Sequence, residues 1–528
     1  MAMTPKGIAR AIIVLTTVTA AVMELIDTSI VNVALSEMSG SLGVNIEDVS
    51  WVITSYAIAN VIIIPLTGFL AEYFGRKNYY IVSMIIFTIA SYMCGQSNTL
   101  IELIAWRFIQ GIGGGALLST SQSILFDAFE PKDRPIAAGL FGMGIVLGPT
   151  LGPTLGGYII DHASWPLIFM INIPIGIAAT LLSFYFVEKK PKEGENKANI
   201  KIDYTGILLL MAGIGCLQYV LERGESEDWL SSETIRTCAV IAVVGLVSFV
   251  VYELNIKQPA VNLKLLGNRN LAFTTIFTFV SGFGLFTSVF IFPVLAQRVL
   301  GFTAFETGNS LLLPTLAAVI LMPVIGKLMS KGVTPVPFVF TGFLLFSLYA
   351  FMSASVSPDV GKSDFFVPLL IRAVGIALCQ LPLINQAVVG LEPKDYPTGI
   401  SLNNMIRQLG GAFGIAVANN YVGNRYAQHR SDLVSAMPNG STVLNERIHS
   451  ISQGIIAKTG DVAGATTKAY ASLSYSVDKQ AYFLSYLDSF RLVGIFFLAV
   501  IPLVLFLRVK KKSAAEIATA MKAAAESH

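Results

Sequence analysis

Charged residues and cysteines are scarce in this chain of 528 residues. Asp, Glu, Lys and Arg make up 13% of it, about half of the share that soluble domains carry. The four cysteines form no CxxC pair, which argues against a disulfide framework and a zinc site. The net charge of +3, without a basic run containing aromatic residues, argues against nucleic-acid binding. Since 54% of the residues are hydrophobic and the mean hydropathy is +0.67, the composition indicates a membrane protein.

Motifs for ATP hydrolysis and for common hydrolases are also missing from the sequence. Gly361-Lys362-Ser363 comes nearest to a P-loop, but Val356 occupies the position of its first glycine. The four histidines are scattered, and neither HExxH nor GxSxG occurs. These absences argue against an ATP-driven transporter and a membrane enzyme, and no cofactor or metal is predicted. A receptor built on a transporter fold remains an alternative, although it would not need acids inside the membrane.

Apolar windows of about 20 residues recur along the chain and predict fourteen membrane-spanning helices. We place them at 11–34, 49–70, 79–97, 100–125, 136–158, 165–187, 205–221, 234–253, 271–294, 309–329, 336–356, 366–389, 398–421 and 483–507. The first window follows Lys6 and Arg10, as in a signal peptide, but it is too long and has no cleavage site. We therefore expect it to remain as the first membrane helix.

Lysine and arginine are concentrated in the loops of one side, which predicts that both termini lie in the cytoplasm. A Lys-rich segment at 191–204 is predicted to be a cytoplasmic linker. Residues 422–482 are predicted to form a long periplasmic loop. Within that loop an amphipathic helix is predicted from the spacing of Leu444, Ile448, Ile451 and Ile455.

A short cytoplasmic segment occurs twice. Residues 130–135 and 392–397 are identical at five of six positions, and each copy follows a helix that carries an arginine and a glutamine. Two parallel halves of a carrier, with a substrate site between them, predict such a repeat. The predicted domains are an N-terminal six-helix bundle (1–190), the linker, an inserted helix pair (205–256), a C-terminal six-helix bundle (257–510) and a cytoplasmic tail (511–528).

Two acids lie in the first predicted helix. Glu24 and Asp27 are one turn apart on one helix face, and an aspartate at the centre of a membrane costs about 2.5–3.5 kcal/mol. Apolar surroundings disfavour the charged form of a carboxyl, so we predict that Asp27 carries protons, either alone or together with Glu24. Arg107 in the fourth helix is the predicted partner that switches with the proton. Alternatively, Arg107 forms a fixed ion pair that joins two helices.

Two glycine-containing segments are predicted to take part in gating. After the second helix, Glu72 and Arg76 can form a charge cluster that latches the cytoplasmic ends of the two halves together; the alternative is a simple positive-inside anchor. In the fifth helix a glycine stripe with two prolines predicts a pliable, tightly packed helix, or else an ordinary packing seam. The gating residues are Gly68, Glu72, Gly75, Arg76, Gly148, Pro149, Gly152, Pro153 and Gly156.

Other polar and aromatic residues at membrane depth are candidates for the wall of a water-filled substrate cavity. They are Asn32, Tyr56, Gln122, Asn172, Gln218, Phe286, Phe290, Asn385, Gln386, Asn404 and Arg407. Each polar residue is equally well explained by a hydrogen bond between helices, and the rings by core packing.

Five segments together resemble the fourteen-helix drug:proton antiporters of the major facilitator superfamily. The segments are 25–35, 68–77, 107–115, 144–157 and 165–176. The resemblance implies an all-α major facilitator fold, with two pseudo-symmetric six-helix bundles and an inserted helix pair. Ser36, Glu72 and Glu24 depart from the usual residues of the group, which leaves open whether one or two carboxyls carry protons.

Residues 218–229 and the long loop resemble EmrB-type inner-membrane pumps. This resemblance implies a tripartite pump with a periplasmic adaptor (a membrane fusion protein) and an outer-membrane channel. The predicted function is proton-coupled efflux of multiple drugs, and hence antibiotic resistance, by alternating access in the bacterial inner membrane. The alternative is an exporter of a specific metabolite or fatty acid that uses the same mechanism.

Overall fold

The computed structural model of the chain describes residues 7–188, 202–358, 360–437 and 441–506. Most of the predicted linker and the whole predicted tail lie outside these residues. The described residues form helices and no strand. Their α-helices are α1 (Ile8–Leu42), α2 (Ile46–Val49), α3 (Trp51–Phe74), α4 (Arg76–Gln96), α5 (Leu100–Asp127), α6 (Arg134–His162), α7 (Leu167–Met170), α8 (Asn172–Phe186), α9 (Tyr204–Arg223), α10 (Glu233–Asn255), α11 (Arg269–Val294), α12 (Ala304–Ser330), α13 (Pro335–Ser353), α14 (Phe366–Gln386), α15 (Tyr396–Ser435), α16 (Thr442–Thr459) and α17 (Ala465–Val500).

Short turns complete the described helical structure. They are the 3₁₀ segments Trp229–Ser231, Leu263–Gly267, Lys362–Phe365, Pro393–Asp395 and Ile501–Phe506, and the π-helical segment Leu295–Val299. Several α-helix ends follow from their sequence. Thr99 caps α5 by accepting a hydrogen bond from the Glu102 backbone, and Thr303 with Glu306 forms a reciprocal capping box on α12. Gly43 ends α1 in the left-handed conformation that glycine adopts without strain.

Each predicted membrane span overlaps a helix of the described structure. Among the described residues, thirteen helices are long and apolar enough to cross a membrane. The predicted span 398–421 lies in α15, which is not one of them, because α15 carries Asn403, Asn404 and Arg407 in its apolar stretch. These three side chains are buried, so the helix hides its polar residues inside the protein. The chain is therefore an all-α, multi-pass membrane protein.

The long helices form two groups that pack face to face. The first bundle contains α1, α3, α4, α5, α6 and α8, and the second bundle contains α11 to α15 and α17. Helix α6 packs on α12, and α3 packs on α15. The pair α9 and α10 lies outside the two bundles, with α9 against α3. The exact domain boundaries given above remain predictions.

The repeated segment joins the two bundles on the side that is predicted to be cytoplasmic. Arg134, from the first copy, donates a 2.8 Å hydrogen bond to the hydroxyl of Tyr396, from the second copy. The Arg134 guanidinium also lies over the Tyr396 ring, 4.6 Å from its centroid. Nearby, a Cβ atom on Gly139 would lie 3.0 Å from the Met322 carbonyl oxygen, so α6 and α12 approach closely. The two bundles are thus in contact at their cytoplasmic ends.

The segment 422–482 is mostly helical rather than a loop. Helix α15 continues to Ser435, α17 begins at Ala465, and α16 lies between them. The predicted amphipathic helix is present as α16, whose Ile448 is buried and which packs on α17. Arg425 of α15 donates a 2.6 Å hydrogen bond to Asp488 of α17, and the Tyr426 and Tyr482 rings stack at 4.1 Å. These contacts hold the extended helices together.

Candidate functional site

Asp27 is held by three donors in the interior of the first bundle. The Nη1 atom of Arg107 lies 2.6 Å from Asp27 Oδ2. The amide nitrogens of Gln110 and Asn172 donate to Asp27 Oδ1 at 2.9 and 2.8 Å. Asp27 is completely buried, and Arg107 is 1% exposed. The predicted contact between Asp27 and Arg107 is therefore present, and the predicted cavity residue Asn172 belongs to the same cluster.

The Arg107 guanidinium makes hydrogen bonds and a cation–π contact with several neighbouring residues. Its Nε donates to the carbonyl oxygen of Val52 at 3.2 Å, and its Nη1 also donates to Gln110 at 2.7 Å. The Tyr56 ring centroid lies 4.1 Å from the guanidinium carbon, which adds a cation–π contact. Arg107 thus connects α5 to both α1 and α3. Movement of its counter-charge on Asp27 would disturb all of these contacts.

Glycines allow α5 to come close enough to α3 for this arrangement. A Cβ atom on Gly111 would lie 2.6 Å from the Tyr56 carbonyl oxygen and 2.8 Å from the Ala59 Cβ. Such a distance requires the backbones to separate, because neither atom lies at the end of a flexible side chain. Gly111 therefore allows the close contact of α5 with α3, where Arg107 reaches the Val52 carbonyl and the Tyr56 ring.

Glu24 has a different environment from Asp27. Its Oε1 accepts hydrogen bonds from the Asn60 amide at 2.9 Å and from the Tyr56 hydroxyl at 3.3 Å. Its Oε2 is buried and has no hydrogen-bond partner among the described residues. Glu24 is completely buried, as Asp27 is. The two predicted proton carriers are therefore both inside the protein, but only Asp27 is paired with an arginine.

Arg407 lies on α15 of the second bundle, which packs on α3, the helix whose Asn60 donates to Glu24. It is 1% exposed, and neither Nη1 nor Nη2 has a partner in the described part of the chain. The adjacent layer contains Asn404, which donates to Ser119 at 3.1 Å and to Gln122 at 3.2 Å. Gln122 in turn donates to the Ile384 carbonyl oxygen at 3.5 Å, so this layer connects α5 with α14 and α15.

The remaining predicted cavity residues are dispersed. Gln218 donates to Glu222 within α9, away from both carboxyls. Gln386 is the last residue of α14 and accepts from Asn270, and its neighbour Asn385 is buried. Asn32 is exposed on α1. The aromatic candidates Phe286 and Phe290 are half-buried on α11 and pack against the core.

The predicted latch after the second helix joins helices of one bundle. Arg76 forms an ion pair with Asp127, the last residue of α5, so this contact lies within the first bundle. Gly68 is what meets the other bundle: a Cβ atom there would lie 2.9 Å from Thr398 Cα. Gly75 lies at the turn between α3 and α4 with a φ of 84°, where glycine is favoured. Sequence reasoning missed Asp127, because an acid at a helix end has no distinguishing pattern.

The glycine stripe of α6 faces α1 next to the two acids. Cβ atoms on Gly148 and Gly152 would overlap Leu25 and Ser29, and one on Gly156 would lie 2.9 Å from Ile30 Cγ1. The stripe therefore packs closely against the helix that carries Glu24 and Asp27. Pro149 and Pro153 lie inside α6 and are buried.

A cavity of about 580 Å³ lies apart from these acids. It is lined by Ile63, Leu70, Tyr73, Phe74, Asn78, Tyr79, Val82, Ser83, Ile86 and Ile112. The lining residues come from α3, α4 and α5, and neither carboxyl is among them. The polar contacts of the acids, rather than the cavity, define the candidate site.

Comparisons with known proteins agree with this architecture. A family model described as the Major Facilitator Superfamily matches residues 17–415. The chain is 30% identical to the multidrug export protein EmrB of Haemophilus influenzae over 485 residues, which cover 92% of this chain and 93% of that protein. It is 32% identical to the fatty acid resistance protein FarB of Neisseria gonorrhoeae over 500 residues, covering 94% and 96%. The crystal structure of the human organic anion transporter MFSD10 (TETRAN) matches with a TM-score of 0.54 at 15% identity, covering 92% of this chain and 99% of that one.

Proposed function

Because the chain belongs to the Major Facilitator Superfamily, and is thus a transporter, we propose that it is a proton-coupled efflux antiporter of the bacterial inner membrane. Its cargo would be lipophilic drugs of several kinds, as the name of the EmrB relative suggests. The observation that carries this proposal is the buried Asp27–Arg107 pair with a second buried acid, Glu24, one helical turn away. Ionisable residues at this depth are rare and usually serve transport.

Protonation of Asp27 would couple to movement through Arg107. When Asp27 gains a proton, Arg107 loses its counter-charge in an environment that strengthens electrostatic interactions. Arg107 also contacts Tyr56 and the Val52 carbonyl on α3, so its release would change how α1, α3 and α5 pack. We expect this rearrangement to favour one of the two orientations of an alternating-access cycle. Glu24 can share the proton, because its Oε2 has no partner within the described chain.

Export of a specific metabolite or fatty acid by the same mechanism is the second candidate. The observation in its favour is the likeness to the fatty acid resistance protein FarB over 94% of this chain. The two candidates share the proton site and differ in cargo. Efflux measurements with a lipophilic dye and with a long-chain fatty acid would separate them.

A periplasmic adaptor and an outer-membrane channel are the proposed partners. Their support is the extension of α15 and α17 on the periplasmic side, with α16 packed beside them. Since the apolar face of α16 is directed to α17, an adaptor would contact its outer, polar face. Exposed Glu446 and Arg447 belong to that face.

The proton site is tested by replacing the acid that pairs with Arg107. In proteoliposomes, Asp27→Asn is expected to reduce efflux driven by a pH gradient to the leak rate of protein-free liposomes. Glu37→Gln, an acid on the same helix outside the buried pair, is the matched control and should transport normally. Undiminished gradient-driven efflux by Asp27→Asn, with an unchanged size-exclusion profile, would refute the proposal.

A further inference from the structure

Both bundles contain buried polar atoms that have no hydrogen-bond partner in the described part of the chain, and three of these atoms belong to side chains of opposite charge. They are Oε2 of Glu24 on α1 and the Nη1 and Nη2 atoms of Arg407 on α15. Both side chains are at least 99% buried. Leaving a buried charged group without a hydrogen bond is unfavourable by about 1–3 kcal/mol or more. In native proteins such groups need an explanation, and a ligand is one.

Neighbouring groups do not satisfy these atoms. Asp27 already accepts hydrogen bonds from Arg107, Gln110 and Asn172, so its charge is paired within the first bundle. Tyr56 and Asn60 donate to the other oxygen of Glu24. Asn404 donates to Ser119 and Gln122, in the layer one turn from Arg407. Glu24 Oε2 is thus an acceptor on the first bundle, and the two Nη atoms of Arg407 are a two-pronged donor of opposite charge on the second. Asn404 Oδ1, one turn from Arg407, is a further buried acceptor without a partner among the described residues, but it carries no charge.

From this arrangement, and resting on the proposed function, we infer that Glu24 and Arg407 form a subsite for zwitterionic substrates that carry both an amine and a carboxylate. The ammonium group would donate to Glu24 Oε2, and the carboxylate would accept from both Nη atoms of Arg407. Guanidinium and carboxylate match in such two-bond geometry, which a lysine does not reproduce. A single molecule would thereby satisfy all three atoms and connect the two bundles.

The direction of exchange favours a zwitterion over a simple anion. An ammonium group and a proton compete for the same carboxylate, so binding of one displaces the other, as antiport requires. A substrate with a carboxylate but no amine would instead neutralise the charge of Arg407, which otherwise stabilises ionised Glu24. Binding of such an anion would therefore favour protonation of Glu24. Proton and anion would then bind together rather than exchange. The nearby charges of Asp27 and Arg107 compensate each other and do not alter this comparison.

A set of four fluoroquinolone compounds tests the inference. The set contains a zwitterion with free piperazine amine and carboxylate, its ethyl ester, its N-acetyl derivative and the compound blocked at both groups. Binding to the purified full-length protein in nanodiscs, without a pH gradient, is measured by drug fluorescence. The zwitterion is expected to bind at least about tenfold more tightly than either singly charged compound, roughly the effect of one charged hydrogen bond.

The two residues should affect different members of the set. Arg407→Gln is expected to weaken binding of the zwitterion and the N-acetyl compound about tenfold and to leave the ester unchanged. Glu24→Gln is expected to weaken the zwitterion and the ester and to leave the N-acetyl compound unchanged. Arg372→Gln is the matched control, since Arg372 is another fully buried arginine of the second bundle, bonded to Ser288. It should leave the order of affinities unchanged.

Binding of the doubly blocked compound reports whether each variant is folded. If Arg407→Gln fails this check, Arg407→Lys replaces it, and weaker binding of both carboxylate compounds is expected because the two-pronged donor is lost. Equal affinities for all four compounds would overturn the inference. Glu24 Oε2 and the Nη atoms of Arg407 would then bind only water. Tighter binding of the N-acetyl compound than of the zwitterion would overturn it in favour of a simple anion site. Wild-type efflux that does not depend on the pH gradient, with intact charge discrimination in binding, would reject proton coupling and leave the subsite standing.

Discussion

Asp27 and Glu24 accept hydrogen bonds from different groups, and we therefore expect the two carboxylates to have different roles. Asp27 receives three hydrogen bonds from α5 and α8, including one from a guanidinium. Glu24 receives two from α3 and retains one oxygen without a partner in the described structure. We therefore expect the charge of Asp27 to govern packing within the first bundle. Glu24 keeps one oxygen available for a ligand.

Arg107→Lys tests whether a positive charge alone is enough at this site. A lysine cannot contact Asp27, Gln110 and the Val52 carbonyl together, so at least one charged hydrogen bond, about 1.5–3 kcal/mol, is lost. Gradient-driven efflux in proteoliposomes is expected to fall about tenfold to a hundredfold. Arg236→Lys on α10 is the control. Normal efflux by Arg107→Lys would mean that the fork of hydrogen bonds has no role in transport.

At the scale of elements, the contact between α6 and α1 determines where the acids lie. Gly148, Gly152 and Gly156 form the α6 side of that contact, at the level of Leu25, Ser29 and Ile30. Small residues are the usual means by which membrane helices approach closely. Because Asp27 lies within this stretch of α1, a change in the α6 contact would move the proton site relative to α5.

Gly152→Ala should disturb this contact. The added Cβ atom would overlap Ser29 Oγ and lie 3.0 Å from the Ile30 backbone nitrogen, an overpacking that typically costs about 1–3 kcal/mol. We expect a lower thermal unfolding temperature and slower efflux, measured on the same preparation. Gly40→Ala on α1 is the matched control, since a Cβ atom there meets nothing within 4 Å. Equal melting temperatures for the two variants would contradict the packing argument.

Apolar run length predicted the helices well, because each membrane helix needs about 20 apolar residues. The same rule missed the continuation of α15 and α17 beyond the membrane, since their polar segments have no such signal. Residue type alone predicted that Arg107 pairs with an acid of the first helix, but the choice of Asp27 over Glu24 depends on how the helices pack. The side chain of Gln218 bonds to Glu222 of the same helix, and its place in a cavity wall stays a prediction.

At the scale of the whole molecule, the two bundles are in contact on the side predicted to be cytoplasmic. The contacts there include the Arg134–Tyr396 pair, the Gln122–Asn404 layer and the close approach of Gly68 to Thr398. In an alternating-access carrier this set would separate when the cytoplasmic side opens.

Tyr396→Phe would weaken this closure without removing the ring. The 2.8 Å hydrogen bond from Arg134 is lost, whereas the guanidinium can remain over the ring. Such a bond contributes roughly 0.5–3 kcal/mol, enough to shift a two-state population measurably. Spin labels at exposed Lys132 and Lys394 should show a larger share of long distances by electron paramagnetic resonance. An unchanged distance distribution would assign the closure to the other contacts.

The proposed adaptor contact is tested on the outer face of α16. Arg447→Glu, an exposed position, is expected to reduce copurification of a periplasmic coiled-coil adaptor severalfold without affecting proton-driven efflux in proteoliposomes. Arg236→Glu at the start of α10 serves as the control. If copurification is unchanged, even when Glu446→Lys is added, the adaptor does not bind this face.

The length of α15 has a mechanical consequence. At 1.5 Å per residue its 40 residues extend about 60 Å, roughly twice the thickness of the hydrocarbon layer. Its inner half carries Arg407, and its outer half is clamped to α17 through Asp478 and Asp488. A small tilt of α15 near Arg407 would therefore cause a larger displacement of its far end. A partner bound to that end would be displaced in each transport cycle.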